Sequence, residues 1–342
     1  MIKRIAILLL AAASLAACHR RPLEDPSELV QIRVEVNVDA VCNVTNNIYN
    51  PHIPVPELTT DMMRVLLYNP RNKNLMSQSF ITAKSLNEKG EEVLSGTLNI
   101  SYGNFDVIVY NFDTPTTQVS SENNENSAVA YTNAVPESVR STFSKAGNWY
   151  DGPINQQPDH LLVAREHNLR VSPHDSLVVI RTTARTIVDT YYLQVRVEGA
   201  KYAESATAVI SGLSPSNLFG LDQRTTDPET AVYFTLQKST DDNIAGENKD
   251  VLCALFNTFG KIPDAQSELF VRFNIVDIAG NQLEFEFDLN EIFKTEDAIE
   301  RHWLLIDHTI VIPDPGVNPD KPSGGFQPVV DEWETEHGEI IL

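Results

Sequence analysis

The chain has 342 residues, and its 26 basic and 47 acidic residues give a net charge of −21 at pH 7. A surface this acidic repels nucleic acid and anionic lipid headgroups, so neither is an expected partner of the folded part. Hydrophobic residues make up 42% of the sequence, which indicates a globular protein with a core and excludes a disordered stalk.

The N-terminus has the order of a bacterial lipoprotein signal. Lys3 and Arg4 precede an apolar run over residues 5–17, which is too short to cross a bilayer and stop there. The run ends in Leu15-Ala16-Ala17-Cys18, which resembles the lipobox, where a peptidase cuts before the cysteine and the thiol receives acyl chains. We therefore expect residues 1–17 to be a signal peptide and Cys18 to be lipidated. Each buried acyl methylene contributes about 0.8 kcal/mol to anchoring.

Cleavage before Cys18 would remove two basic residues and no acidic residue, leaving 325 residues with a net charge of −23. That length is enough for about two domains of roughly 150 residues each. Residues 18–28 are polar and contain two prolines, which is typical of a tether between the lipid and the fold. No later segment is apolar for long enough to span a bilayer, so the remainder is expected outside it.

Strand signals continue along the rest of the chain. From Val30 to Val38 every second residue is apolar, which predicts a β-strand with one buried face. Comparable runs cover residues 62–68, 93–101, 105–111, 175–183, 188–197, 206–213, 231–237, 268–277 and 282–290. The last two are joined by Ile278-Ala-Gly-Asn281, which suits a hairpin turn. With only two short helical signals, at residues 136–145 and 291–303, the pattern predicts an all-β protein made of sandwiches.

The predicted strands divide into two domains. We place an N-terminal β-sandwich over residues 29–168 and a C-terminal β-sandwich over residues 169–342. Residues 313–325 predict an irregular link, because proline lacks the donor that a sheet requires. Short terminal strands are expected after it, at residues 326–333 and 339–342.

The sequence contains no recognisable catalytic motif. The nucleophile elbow, the phosphate-binding glycine-rich loop and the zinc-binding helix motif are all absent from it. Glu284, Glu286 and Asp288 line the outer face of one predicted strand, whereas a glycosidase needs carboxylates on opposite sides of a cleft. We therefore expect no enzymatic activity, no cofactor and no metal site. Cys42 and Cys253 remain besides Cys18, and the sequence leaves open whether they pair.

One segment differs from its surroundings. Residues 114–159 are rich in Asn, Ser, Gly and Pro, and we expect them to form a partly ordered excursion at one end of the first sandwich. Trp149 and Tyr150 lie in it, and exposed aromatic rings can stack on sugar faces. They are the candidate ligand-binding residues, and they support an alternative function as a glycan-binding surface lipoprotein of an outer-membrane uptake system.

Several segments together resemble the fimbrillin-like lipoproteins of Bacteroides-type bacteria, the superfamily of type V pilus subunits and their anchors. They are the lipobox, the strand Val30 to Val38 and the run Met62-Met-Arg-Val-Leu-Leu-Tyr68. Gly103-Asn-Phe-Asp-Val-Ile-Val-Tyr-Asn111 is similar to the family's Gly-x-Tyr-x-Val-x-x-Tyr-Asn segment, with Phe in place of the usual Tyr. Gly324-Gly-Phe-Gln-Pro-Val-Val-Asp-Glu-Trp333 is similar to the family's closing strand.

The resemblance implies two tandem transthyretin-like β-sandwich domains with few short helices. It also implies a lipid-anchored protein of the outer membrane, at the cell surface, that acts in pilus assembly as an anchor or accessory subunit, or in adhesion to a host ligand. Fimbrillin-like partners would join by β-strand addition at an open sheet edge. Pilus-forming relatives are matured at a basic residue in an early loop, and no such site stands out in this sequence.

Overall fold

The computed structural model describes residues 29–39, 42, 44, 56–144, 150, 152–239, 243–244, 247–248, 250–262 and 269–316. These residues form mostly β-strands, which confirms the predicted all-β fold. The predicted signal peptide, the tether with Cys18, Trp149 and the predicted terminal strands lie outside the described residues.

The strands and helices are named in chain order. The strands are β1 Leu29–Val38, β2 Met63–Tyr68, β3 Leu75–Ile81, β4 Ala83–Leu86, β5 Glu92–Ser101, β6 Gly103–Asn111, β7 Thr117–Ser120, β8 Val129–Thr132, β9 Ile154–Asn155, β10 Leu162–Val171, β11 Leu177–Thr186, β12 Asp189–Glu198, β13 Ala203–Leu213, β14 Ser216–Leu218, β15 Gln223–Arg224, β16 Thr230–Thr235, β17 Gln237–Ser239, β18 Asn243–Ile244, β19 Glu247–Asn248, β20 Val251–Thr258, β21 Phe270–Asp277, β22 Gln282–Asp288 and β23 Trp303–Val311. The α-helices are α1 Glu137–Ser144 and α2 Glu296–Glu300, and the 3₁₀ helices are Glu125–Ser127, Ala200–Tyr202 and Ile292–Lys294.

The first sandwich is one eight-stranded sheet folded over itself, in the order β3-β2-β6-β10-β11-β1-β5-β4. Strands β10 and β11 share only two residue pairs, so the two halves of the sheet can face each other across a core. Val30, Ile32, Val34 and Val36 point into this core, as the alternating pattern predicts. Strand β1 lies in the middle of the sheet, parallel to β11 and antiparallel to β5.

The second sandwich consists of two sheets, in the orders β17-β20-β12-β23 and β22-β21-β13-β16-β9. Its core fills the space between them and includes Leu193, Phe234, Phe256 and Phe273. The rings of Phe234 and Phe256 stack with their centroids 4.6 Å apart. The finer description of the two sandwiches as transthyretin-like domains stays a proposal.

A small sheet in the order β15-β14-β8-β7, which we call the bridging sheet, joins the two sandwiches. Strands β7 and β8 come from the excursion at residues 114–159. They pair with each other, and β8 also pairs with β14 from the second half of the chain. Strand β9 of the same excursion pairs with β16 of the second sandwich. The prediction of an excursion at one end of the first sandwich is therefore wrong in its placement, because the described part of this segment pairs with strands of both halves.

The reason lies in strands that are apolar on both faces. Leu66 and Tyr68 on β2 and Ile108 and Tyr110 on β6 point away from the first core, yet all four are fully buried. The bridging sheet covers them with Ala128, Ala130 and Phe219. A strand that is apolar on both faces needs a packed layer on each side, and the excursion supplies the second layer.

The division into two domains at residue 168 stays a prediction. Residue 168 lies within β10, and β11 after it also belongs to the first sheet. The strand pairing therefore favours a later boundary, in the short connection between β11 and β12.

We predict that Phe219→Ala destabilises the protein far more than Phe80→Ala. Phe219 is fully buried, with its ring centroid 5.3 Å from that of Tyr110, so truncation should lower the free energy of unfolding by about 3–5 kcal/mol. Phe80 is 50% exposed and serves as the matched control, with an expected loss of about 1 kcal/mol. Urea unfolding of both variants measures the difference, and equal losses would mean that the bridging sheet does not stabilise the fold.

Candidate functional site

Tyr150, one of the two predicted ligand-binding residues, is held by contacts within the protein. Tyr150 donates a hydrogen bond from its hydroxyl to the backbone oxygen of Glu229, 2.7 Å away. Its ring packs against an apolar cluster that includes Val135, Phe143 and Val209, and burial raises the pKa of the hydroxyl. This placement does not favour a stacking role for Tyr150. The role of Trp149 stays a prediction, since that residue is outside the described part of the chain.

A cysteine and a histidine meet at the junction of the two sandwiches, but their chemistry is that of a structural contact. The Cys42 sulfur lies 3.7 Å from Nε2 of His160. Burial raises the pKa of the Cys42 thiol and lowers the pKa of His160 to about 4, so both groups are neutral at pH 7. Cys42 is also only 3% exposed. A nucleophilic cysteine needs a thiolate and access for its substrate, and this pair offers neither.

Cys42 and Cys253 are not joined by a disulfide, although both are buried in one cluster on the outer face of β12 and β20. Cys42 lies at the Thr190 end of β12, because His160 Nε2 contacts both the Cys42 sulfur and Thr190 Oγ1. Cys253 pairs with Gln194, four residues further along the strand. Four residues of a strand cover about 13 Å, which is too far for a disulfide without backbone movement.

A buried charged cluster lies at one end of the first sandwich. Asp106 and Glu125 are each 2% exposed, and Lys73 Nζ lies 2.6 Å from Asp106 Oδ2 and 3.0 Å from Glu125 Oε2. Burial raises the pKa of both carboxyls, but Lys73 and the Asn168 N–H outweigh it at Asp106, whose pKa is lowered. His167 lies beside the two carboxylates. Asp106, Glu125 and His167 are residue types that can bind a metal ion, but here the lysine ammonium bridges the two carboxylates. This ion pair fixes the 3₁₀ helix Glu125–Ser127 to the sheet.

The arrangement that can bind a partner is a pair of strand edges on one side of the second sandwich, which we call free because no other strand of the described residues pairs with them. Strand β22 ends one sheet and β23 ends the other, and the ring centroids of Phe287 and His308 lie 5.1 Å apart across them. The opposite edges, β9 and β17, have only two and three residues. An edge strand leaves half of its backbone N–H and C=O groups unpaired, and these can accept another strand.

Strand β22 is the more regular of the two edges. It pairs with β21 over seven consecutive residue pairs, whereas the pairing of β23 with β12 shifts register around Asp307 and His308. Leu283, Phe285 and Phe287 are only partly buried against the core, and Glu284, Glu286 and Asp288 are exposed on the other face. The structure thus places the three acids on the outer strand face, as the alternation predicts. Sequence patterning shows these faces, but it does not show that β22 lies at the edge of its sheet.

We predict that His160 makes the protein less stable as pH falls. The pKa of His160 is lowered in the folded state from its ordinary value of 6.5 to about 4. The contribution of the neutral His160 ring to the free energy of unfolding is therefore fully present above pH 6.5 and is lost as the pH falls towards 4. The loss amounts to about 3 kcal/mol. Urea unfolding of His160→Gln between pH 7 and pH 4 should show a smaller decline than the native chain, and the exposed His174→Gln is the control. Parallel pH curves for the native chain and His160→Gln would contradict this account.

The chain is similar in sequence to a bacterial fimbrial protein. None of the helices in the described residues is long and apolar enough to cross a membrane. A protein of Bacteroides ovatus described as a candidate fimbrium anchoring subunit is 22% identical over 259 residues, which is 75% of this chain. The match covers 65% of that protein, so this chain spans less than two thirds of its length.

A solved structure of a bacterial adhesin shares the fold. A candidate adhesin from Bacteroides ovatus superposes with a TM-score of 0.58 and 17% identity, over 88% of this chain and 99% of the adhesin. The fimbrial anchor protein Mfa2 from Porphyromonas gingivalis is a more distant match, with a TM-score of 0.47, 13% identity and coverage of 85% and 93%. The sequence match to the fimbrium anchoring subunit and the fold shared with the adhesin confirm the predicted resemblance to fimbrial proteins of Bacteroides-type bacteria.

Residues 52–235, more than half of the chain, match the family described as a domain of unknown function, DUF5119. The chain belongs to that family.

Proposed function

We propose that this protein is a non-enzymatic, lipid-anchored subunit of a cell-surface fimbria, acting as its anchor or as an accessory subunit, or in adhesion. The observation that carries the proposal is the free edge of β22, with its partly buried apolar face and its unbroken pairing to β21. The name of the Bacteroides ovatus relative and the fold shared with an adhesin support it. The lipobox before Cys18 supports attachment to the outer membrane.

The chemistry of β22 defines the partner that would suit it. A strand added beside β22 would extend the sheet by main-chain hydrogen bonds, which require only an extended backbone. Its side chains on the inner face would meet Leu283, Phe285 and Phe287, so apolar residues fit there. On the outer face they would meet Glu286 and Asp288, so basic residues fit there, whereas Glu284 is already paired with Arg272 at 3.0 Å. The proposed partner therefore offers a strand in which apolar and basic residues alternate.

Strand β1 supports the role of an anchor over that of a polymerised subunit. It lies between β5 and β11, in the middle of the first sheet, and its loss would open the core. The chain between Arg33 and Arg64 contains no Lys or Arg. The basic cleavage position that the family resemblance implies for pilus-forming subunits is therefore missing from the segment after β1. The alternative, a glycan-binding lipoprotein, gains no support from Tyr150, whose hydroxyl is bound within the protein.

We predict that the double variant Glu286→Lys, Asp288→Lys loses its fimbrial partner. Reversing two charges beside the added strand places like charges against its basic side chains, and recovery should fall about tenfold. The measurement is crosslinking in intact cells, followed by purification of the tagged protein and quantification of the fimbrial subunits recovered with it. The control, Glu296→Lys with Glu300→Lys, makes the same charge change on α2. Equal recovery with both variants would exclude β22 as the edge that binds the partner. A native protein that recovers no fimbrial subunit would exclude the proposed function.

A further inference from the structure

One end of the first sandwich, which we call the tether end, is formed where the described chain begins. Strand β1 starts there at Leu29, which pairs with Ser101 at the end of β5. Gly103, at the start of β6, pairs with Val171, at the end of β10. The turn between β5 and β6 and the turn between β10 and β11 therefore both lie at this end. The turn at residues 69–74 also lies at this end, because Tyr68, just before it, pairs with Asp106 near the start of β6.

The length of chain before β1 limits how far the tether end can lie from a lipid-anchored Cys18. Residues 18–28 number eleven, and eleven residues reach at most about 40 Å when fully extended. If Cys18 carries acyl chains, this end of the sandwich is therefore held within about 40 Å of the bilayer. The inference below rests in this respect on the proposed lipid anchoring.

The charge at the tether end differs from that of the whole chain. Arg71 and Arg170 are exposed there, together with His167 and His174. Among the described residues, the exposed acid at this end is Asp175, whose carboxylate accepts a hydrogen bond from the Ser172 N–H. The opposite end of the same sandwich carries exposed acids, which are Asp39, Asp61, Glu88, Glu91 and Glu92. The first three pair with Arg185, Lys84 and Arg181, and Glu91 and Glu92 remain as the excess of negative charge.

The charge at the tether end matters more for contact with a lipid surface than the net charge of −21 of the whole chain. At physiological ionic strength charges are screened beyond about 8 Å, so headgroups in contact with one end respond to the groups on that end. A phosphate layer would meet Arg71 and Arg170 at the tether end. The expectation that the folded part avoids anionic headgroups rests on the net charge alone, whereas this surface carries exposed basic side chains.

Two apolar side chains are also exposed at the tether end. Tyr102, in the turn between β5 and β6, is 51% exposed, and Leu177, at the start of β11, is 46% exposed. Tyr102 and Arg170 line an open cleft with Ser172 and Pro173. A tyrosine ring beside an arginine suits the boundary between water and lipid, where the ring enters the headgroup layer and the polar groups stay wet.

We propose that the tether end rests on the lipid surface, with Tyr102 and Leu177 in the headgroup layer and Arg71 and Arg170 against its phosphates. The sandwich then stands on the membrane with a fixed orientation, and its acidic end faces away. The acyl chains hold the protein at the membrane, and these four side chains set its orientation there.

The test uses the full-length lipidated protein in phosphatidylethanolamine and phosphatidylglycerol vesicles that contain a spin-labelled quencher lipid. A fluorophore is attached at Tyr102→Cys in one sample and at Glu91→Cys, at the acidic end, in the matched control. We expect most of the fluorescence at position 102 to be quenched and the fluorescence at position 91 to be unaffected. Adding Arg71→Glu and Arg170→Glu should reduce quenching at position 102, whereas Lys84→Glu with Lys89→Glu, the same charge change at the other end, should not.

Two further measurements distinguish failure of the proposed orientation from failure of the proposed lipid anchoring. They are sedimentation of the protein with the vesicles and the mass of its N-terminal peptide, which shows whether Cys18 is acylated. A lipidated protein that sediments with the vesicles but shows no quenching at position 102 would overturn the proposed orientation and leave the anchoring intact. Quenching at position 91 would overturn it as well. A protein that carries no acyl chain on Cys18 would overturn the proposed anchoring, and the orientation with it.

Discussion

Leu66, Tyr68, Ile108 and Tyr110 turn their side chains away from the first core, and the outer face that they form is dry only because the bridging sheet lies on it. Phe219 enters this layer from the second half of the chain, and its backbone oxygen accepts a 2.6 Å hydrogen bond from Arg165 on β10. An uncovered face of this size would expose four large apolar side chains at a cost of about 1.5–3 kcal/mol each. The two sandwiches are thus held together by a shared layer of core.

The shared layer has consequences for the rest of the molecule. Arg224 of β15 contacts Asp189 at 2.6 Å, which ties the bridging sheet to the start of β12. The segment at residues 114–159 leaves the first sandwich and ends as β9, which pairs with β16 at the edge of the second sandwich. Helix α1 packs beside it through Phe143. This covers one side of the second sandwich and leaves β22 and β23 as its long free edges. The tether end and the β22 edge therefore belong to different sandwiches of a single joined structure, as the proposed attachment to a membrane and to a partner requires.

Sequence patterning predicts the regular parts of this fold well. The alternation from Val30 to Val38 becomes β1, and the hairpin expected around Ala279 and Gly280 becomes β21 and β22. The helical signal at residues 136–145 becomes α1, but the signal at residues 291–303 is cut short, because Trp303 begins β23. These elements depend on local periodicity, which a single sequence contains.

The bridging sheet and the free edge depend on distant residues. Strands β8, β9 and β14 have four, two and three residues, too few to show a period. One local signal was available: Gly220 follows Phe219, and a side chain at Gly220 would place its Cβ 1.9 Å from the Glu125 carbonyl oxygen. The glycine marks a close approach of two backbones, but the sequence does not say which backbone approaches. Similarly, Tyr150 is aromatic and lies in a polar segment, which predicts exposure, yet its hydroxyl bonds to Glu229.

Amide hydrogen exchange of β22, in the isolated protein and in assembled fimbriae, tests the central claim most directly. If a partner strand adds to this edge, the backbone amides of β22 that exchange freely in the isolated protein should become protected in the assembly, while those of the first-sandwich edge β4 stay unchanged. If the protein is present in fimbriae and β22 exchanges at the same rate as in isolation, strand addition at this edge does not occur.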